Sequence, residues 1–112
     1  MKNTVSTFLS MKQNGERLTE ITSYDYTTAK LVEKAGINAI LVGDSLGMTM
    51  MGYDTTLPVT MEDMIHHSAC VVRACENTMV IMDMPFMSYQ ASVSEAVRRA
   101  FESPREHHVK TR

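Results

Sequence analysis

Two aspartates, each placed just after a short apolar run, are the strongest chemical signal in this sequence. Asp44 follows residues 39–42, AILV, with only Gly43 between them, and Asp83 directly follows residues 79–82, MVIM. Apolar runs of this kind are typical of strands buried on both faces of a parallel sheet. Ligands bind at the carboxyl ends of such strands in α/β folds, so both carboxylates are expected at one functional edge.

Two carboxylates at neighbouring strand ends would suit a Mg²⁺ ion. Adjacent strands lie about 4.8 Å apart, so Asp44 and Asp83 would reach one cation and leave its other positions to water or substrate oxygens. A chelated α-keto acid would fill two of those positions, and the metal would then stabilise an enolate. Ser45 is placed to donate a hydrogen bond to the substrate carboxylate. The alternative is that both aspartates are turn or helix caps, a common role for Asp after a strand.

The elements that must position these side chains alternate along the chain. Strands are predicted over residues 18–22, 37–42 and 78–82, and helices over residues 4–13, 27–35, 60–75 and from residue 92 onward. Gly36 is a natural left-handed end for the second helix, and Thr60 with Asp63 resembles a capping box. Strands separated by helices require crossover connections, so the pattern predicts an α/β fold with a parallel sheet.

Three strands with two apolar faces cannot shield their own edges. We therefore expect the chain to be the first portion of a larger barrel or doubly wound sheet, with no linker that divides it into two domains. The connection over residues 43–58 is much longer than the usual 2–6 residues of a βα loop. It is expected either to line the site or to pack within the fold.

Composition excludes several classes of protein. The chain has 112 residues, of which 44% are hydrophobic and 21% charged, and a net charge of −2, which is typical of globular domains. No dense Lys/Arg block precedes the last ten residues, so nucleic-acid and membrane-surface binding are not indicated. No apolar run reaches the ~18 residues of a membrane span. The N-terminus lacks a signal-peptide pattern, so a cytoplasmic location is predicted. Cys70 and Cys75 fit neither a redox motif nor a zinc site and are interpreted as packed thiols.

Four ordered motifs resemble those of the ketopantoate hydroxymethyltransferase family. They are ITSYDY at residues 21–26, LVGDSLGM at 41–48, GYDTTLPVT at 52–60 and DMPFMSY at 83–89, and the resemblance covers roughly residues 1–100. It implies the first three βα units of a (β/α)8 barrel, preceded by a short N-terminal helix. The barrel would be incomplete, since a whole one needs about 250 residues.

The resemblance also implies an activity and its site residues. The family transfers a hydroxymethyl group from 5,10-methylenetetrahydrofolate to 3-methyl-2-oxobutanoate in pantothenate biosynthesis, with Mg²⁺, as a homodecamer. Asp44 and Asp83 fall on the family's metal-binding aspartates, and Asp44, Ser45 and Asp83 fall on positions that bind the keto acid. Only the resemblance, and not the spacing of residues, implies the folate.

The last residues depart from the family pattern, in which a fourth strand precedes a lysine and a glutamate. Residues 101–112, FESPREHHVKTR, show neither an apolar strand nor a glycine turn, so the family's lysine is not assigned to Lys110. Residues 1–103 are taken as the barrel portion and residues 104–112 as a divergent charged tail. His107 and His108 are interpreted as solvated residues rather than metal ligands.

Three functional hypotheses follow. The chain belongs to a ketopantoate hydroxymethyltransferase, to a related Mg²⁺-dependent barrel of the phosphoenolpyruvate mutase and isocitrate lyase group, or to a non-catalytic remnant. The four motifs favour the first. No catalytic residue is assigned, because the family's general-base glutamate comes later, and Asp25, an exposed acid near a strand end, is a weak substitute. The 112-residue chain alone is therefore predicted to be inactive.

Overall fold

The computed structural model describes residues 2–88, 92–102 and 109–111. The helices are α1 (Val5–Gln13), α2 (Tyr26–Lys34), α3 (Leu46–Thr49), α4 (Met61–Ala74) and α5 (Val93–Glu102). The strands are β1 (Glu20–Thr22), β2 (Ala39–Val42), β3 (Met79–Met82) and β4 (Val109–Thr111). Among the described residues, no helix is both long and apolar enough to cross a membrane.

The four strands form one parallel sheet in the order β1-β2-β3-β4. In the central pair, Val42 at the end of β2 lies opposite Met82 at the end of β3. The carboxyl ends of the two strands are therefore level with each other. The predicted α/β fold with a parallel sheet is confirmed.

The core lies between one face of this sheet and the helices. Alternate side chains of the central strands, Ile40 and Val42 in β2 and Val80 and Met82 in β3, point into it. The helices contribute a second set of buried apolar residues, which includes Ala29, Val32, Met64, Val71 and Val72. On the opposite face, Leu41 pairs with Ile81 and both stay partly exposed. Among the described residues, the apolar strands are thus completely covered on one face only.

Local sequence signals set the helix ends where they were predicted. The Thr60 hydroxyl accepts from the Asp63 N–H at 3.1 Å, and the Asp63 carboxylate accepts from the Thr60 N–H at 3.0 Å, a complete capping box. Gly36 follows α2 with φ of 80°, a left-handed conformation that glycine adopts without strain. These two signals fix where α4 begins and where the chain turns toward β2.

A polar contact ties the chain before α1 to the amino ends of the central strands. The Asn3 N–H donates to the Asn77 carbonyl at 2.8 Å, and the Asn38 side-chain amide donates to the Asn3 Oδ1 at 2.9 Å. Asn38 directly precedes β2 and Asn77 lies two residues before β3. Asn3 therefore joins the amino ends of β2 and β3. Asp44 and Asp83 follow the carboxyl ends of the same two strands.

The expectation that residues 101–112 contain no strand is wrong. β4 pairs in parallel with β3, and Lys110 lies opposite Ile81. The free edge of β3 offers backbone hydrogen-bonding groups that a short segment can satisfy whatever its polarity, and Val109 and Thr111 are β-branched residues that favour strands. The predicted end of the last helix at Pro104, and the histidine pair 107–108, lie outside the described residues.

Candidate active site

The sheet brings the two predicted aspartates to the same edge. Asp83 directly follows β3, and its backbone N–H donates to the Val42 carbonyl at the end of β2, with a distance of 3.0 Å. Asp44 stands two residues after Val42, and both aspartates are half-buried. The parallel register therefore places both aspartates at one edge of the sheet, as predicted, because the two neighbouring strands end at the same level.

The Asp83 carboxylate lies against the backbone that follows β2. Its Oδ2 accepts a hydrogen bond from the Asp44 N–H at 3.2 Å. A Cβ placed on Gly43 would lie 3.4 Å from this same oxygen and 3.4 Å from the Ser45 Oγ. A Cβ at this position would be in ordinary contact with both oxygens, so a carboxylate and a hydroxyl lie close to one short segment. Asp44, Ser45 and Asp83 converge on one small region.

Ser45 stands at the start of α3, but its hydroxyl does not cap that helix. The residue is exposed, and its Oγ lies 3.5 Å from the Tyr24 phenol oxygen. A hydroxyl at a helix start would ordinarily accept from a backbone N–H of the first turn. Since no cap contact fixes its orientation, this hydroxyl can rotate toward Tyr24 or toward a ligand at the strand ends.

Tyr24 and His67 belong to this region although the sequence assigned them no role. The Tyr24 ring packs against the core, and its carbonyl oxygen lies 2.9 Å from the His67 Nδ1. A carbonyl only accepts hydrogen bonds, so Nδ1 carries the proton in this contact. Tyr24 sits within a polar cluster directly after β1, which is a signal that strand-end reasoning could have used. His67, 43 residues further along on α4, offers no local signal.

Sequence reasoning also left Lys110 out of the site. The reason for excluding it was the lack of a strand in residues 101–112, and β4 removes that reason. Lys110 is paired with Ile81, and Asp83 follows Ile81 by two positions on the adjacent strand. By backbone position, Lys110 is therefore on the strand next to Asp83, close to the same edge.

The long connection after Ser45 is ordered around α3, an element that the sequence did not predict. Leu46 is fully buried, and Gly47 packs so closely on Val59 that a Cβ there would overlap the Val59 Cγ2. The connection then returns to the sheet edge. Its last residues, together with residues that follow Asp83, line a cavity of about 270 Å³ whose walls include Leu57, Val59, Pro85 and Met87.

The available donors fit a cation that prefers hard oxygen ligands. Within the described ranges, no group of three or more His, Cys, Asp and Glu side chains is arranged to hold a metal. Two aspartates at adjoining strand ends are too few for a structural zinc or calcium site, but their number and type suit Mg²⁺. That ion is commonly held by one or two carboxylates and keeps water or substrate oxygens in its remaining positions.

Comparison with known proteins gives one consistent result. The sequence model of the ketopantoate hydroxymethyltransferase family matches residues 2–111. A 3-methyl-2-oxobutanoate hydroxymethyltransferase from Clostridium novyi (strain NT) is 64% identical over 100 residues, or 89% of this chain. Proteins of the same name from Clostridium botulinum (strain 657 / Type Ba4) and Enterococcus faecalis (strain ATCC 700802 / V583) are 60% and 59% identical over the same length.

The chain spans 36% of the length of these curated relatives. The family match nevertheless covers nearly all of this chain, including both strand ends and the connection between them. The predicted resemblance is confirmed, and the chain belongs to the ketopantoate hydroxymethyltransferase family.

Proposed function

We propose that this chain forms the metal- and keto-acid-binding part of a ketopantoate hydroxymethyltransferase site. The reaction would transfer a hydroxymethyl group from 5,10-methylenetetrahydrofolate to 3-methyl-2-oxobutanoate and give 2-dehydropantoate for pantothenate biosynthesis. The observation that carries the proposal is the convergence of the Asp83 carboxylate, the Asp44 backbone and the Ser45 hydroxyl around Gly43. The family match favours this reaction over that of the phosphoenolpyruvate mutase and isocitrate lyase group.

Each residue has a separate role in the proposal. Asp44 and Asp83 are the carboxylates that would hold Mg²⁺, which when bound would supply Lewis-acid polarisation of the keto oxygen. Ser45 donates its hydroxyl proton to the carboxylate of the keto acid.

The family's general base is the component that we assign to none of the described residues. Asp25 was the one spare acid near a strand end, but its carboxylate caps α2. It accepts from the Thr28 N–H at 2.7 Å and from the Thr28 hydroxyl at 3.0 Å. A carboxylate held in this way is a structural cap and is not placed to abstract a proton. We therefore propose that the 112-residue chain binds the keto acid without catalysing the transfer.

The larger enzyme would be a (β/α)8 barrel in which β1 to β4 are consecutive strands. The parallel order of these strands, with α2 and α4 on one face, supports this architecture. The folate, the homodecameric assembly and the cytoplasmic location stay predictions, and family membership supports the first two.

Isothermal titration calorimetry of the purified chain tests the binding proposal. The wild-type chain is titrated with 3-methyl-2-oxobutanoate with and without Mg²⁺, and Asp44→Asn and Asp83→Asn are compared with it. Asp54→Asn is the matched control, because Asp54 is an exposed acid on the same connection. We expect binding that requires Mg²⁺, a loss of at least about tenfold in affinity for each site variant, and no change for the control. Equal affinity in all four proteins would contradict the proposal.

Proton exchange tests the claim that the chain lacks its base. Loss of the C3 proton signal of the keto acid in deuterated buffer is followed by nuclear magnetic resonance with the chain and Mg²⁺. The rate should equal that of Mg²⁺ alone. Exchange well above this control would show that the described residues, or a group from a second copy, include an effective base.

A further inference from the structure

We infer that Tyr24 is a positioning residue that sets the direction of the Ser45 hydroxyl toward the keto acid. The inference rests on the proposed function, because it concerns the carboxylate that Ser45 binds there. Tyr24 is not one of the predicted site residues Asp44, Ser45 and Asp83. The inference is drawn from a contact between residues that follow two different strands. Tyr24 follows β1 and Ser45 follows β2, and their side-chain oxygens lie 3.5 Å apart.

Tyr24 is held from two sides, so its phenol oxygen has a defined place. Its half-buried ring packs against the hydrophobic core, and its carbonyl is bound by the His67 Nδ1 from α4 at 2.9 Å. Ser45 is exposed and is not engaged as a helix cap. Of the two partners, Tyr24 is therefore the fixed one, and it determines the orientation of Ser45.

The chemistry of the two hydroxyls decides which one donates. A phenol is the more acidic hydroxyl and is the better donor, so the Tyr24 O–H donates to the Ser45 Oγ. Ser45 then has its own proton left for an anionic acceptor. A donor already bound to its oxygen polarises that proton and strengthens its hydrogen bond to a carboxylate. Tyr24 thus makes Ser45 a donor directed at the ligand.

The separation of 3.5 Å is long for a hydroxyl pair, whose usual distance is about 2.7 to 2.8 Å. Hydrogen bonds in active sites are often long without ligand and shorten when the substrate binds. Rotation of the exposed Ser45 side chain would shorten this one without moving the fixed Tyr24. The contact is therefore expected to tighten when a carboxylate accepts the Ser45 proton.

A double-mutant cycle in keto-acid affinity tests the inference. Tyr24→Phe, Ser45→Ala and the double variant are titrated calorimetrically with 3-methyl-2-oxobutanoate in the presence of Mg²⁺. Tyr24→Phe keeps the ring that packs in the core and removes only the hydroxyl. Tyr26→Phe is the matched control, since that tyrosine is 48% exposed and its ring lies under Lys30. Thermal unfolding of each variant checks that stability is unchanged.

We expect Tyr24→Phe to weaken keto-acid binding about five- to tenfold in the wild-type background, the size of effect that one hydrogen bond produces. It should have no further effect when Ser45 is already alanine, and Tyr26→Phe should match the wild type. Equal weakening by Tyr24→Phe in both backgrounds, or none in either, would overturn the inference while leaving the proposed function intact. Failure of the wild-type chain to bind the keto acid would overturn the proposed function and this inference with it.

Discussion

Glu33 provides the sharpest test of how the fold holds β3, the strand that carries Asp83. This residue is near the end of α2, and its carboxylate accepts hydrogen bonds from three consecutive backbone N–H groups just before β3. The distances are 3.2 Å from Glu76, 2.7 Å from Asn77 and 2.9 Å from Thr78. Replacing it by glutamine keeps the shape but turns one acceptor into a donor that faces these N–H groups.

The loss in the free energy of unfolding depends on which of these N–H groups can be hydrated when the carboxylate is replaced. Glu76 and Asn77 are exposed, so their N–H groups can be hydrated in the variant. Thr78 is 1% exposed, so the single side-chain oxygen of glutamine must serve its N–H, and this acceptor is no longer charged. A hydrogen bond to a charged group contributes about 1.5 to 3 kcal/mol. We therefore expect Glu33→Gln to lower the free energy of unfolding by about 2 kcal/mol at neutral pH.

The pH dependence has a definite sign. Burial raises the pKa of Glu33, but hydrogen bonds from Thr78, Asn77 and Glu76 outweigh it, and the pKa is lowered from 4.5 in the folded chain. A carboxylate with a lowered folded pKa stabilises the protein fully above its unfolded pKa. The stabilisation is lost as the pH falls through the lower folded value. The difference between wild type and Glu33→Gln should therefore be complete at pH 7 and shrink below about pH 4.5.

Urea unfolding followed by circular dichroism at pH 7 and pH 3 measures both effects. With a typical slope for a small domain, 2 kcal/mol corresponds to a midpoint lower by about 1 M at pH 7. Glu16→Gln is the control, because Glu16 is exposed beyond α1. An unchanged midpoint at pH 7 for Glu33→Gln, or an equal difference at both pH values, would refute the account of the three hydrogen bonds.

Three further predictions concern packing. Gly47→Ala would bring a Cβ into the Val59 side chain, so we expect a loss of about 1 to 3 kcal/mol in the free energy of unfolding, and unchanged stability would contradict the close contact. Ser68 has a buried hydroxyl with no partner among the described residues, so Ser68→Ala should raise that free energy by about 1 kcal/mol, and a loss would show that the hydroxyl is bound. Burial raises the pKa of the Cys75 thiol to about 11. Cys75 should therefore react with iodoacetamide at pH 8 much more slowly than the less buried Cys70. Equal reaction rates of the two thiols would contradict this prediction.

The main features of the fold could be predicted from local patterns. The runs at residues 39–42 and 79–82 form strands because they are apolar and end in turn residues. The cap at Thr60 and the left-handed glycine at Gly36 set element ends through contacts with near neighbours. Each signal depends on a few adjacent residues, and for that reason each can be read directly from the sequence.

Two elements could not be predicted because tertiary contacts create them. The helix α3 is one short turn, stabilised by burial of Leu46 and by the approach of Gly47 to Val59, a residue twelve positions away. The strand β4 contains a lysine and a threonine and forms because the edge of β3 offers hydrogen bonds. Helical or apolar periodicity cannot detect either case, since each partner is distant in the chain.

The candidate site also has a part that could be predicted from local patterns and a part that could not. The meeting of Asp44, Ser45 and Asp83 follows from two strands ending side by side, and it was predicted. The arrangement around Tyr24 was not, because His67 reaches it from α4 across 43 residues of chain. Strand-end reasoning thus finds residues that share one edge of the sheet, but it does not find the residues that pack beside them from distant parts of the chain.

The central claim is that the ends of β2 and β3 form one Mg²⁺-dependent site for a keto acid, and backbone amide chemical shifts test it most directly. The ¹⁵N-labelled chain is titrated with 3-methyl-2-oxobutanoate with and without Mg²⁺, and the N–H signals of Asp44, Ser45 and Asp83 are followed. We predict saturable shifts at these three residues only when Mg²⁺ is present, while the signal of Lys12 in α1 stays unchanged. Absence of shifts, or identical shifts without Mg²⁺, would contradict the claim.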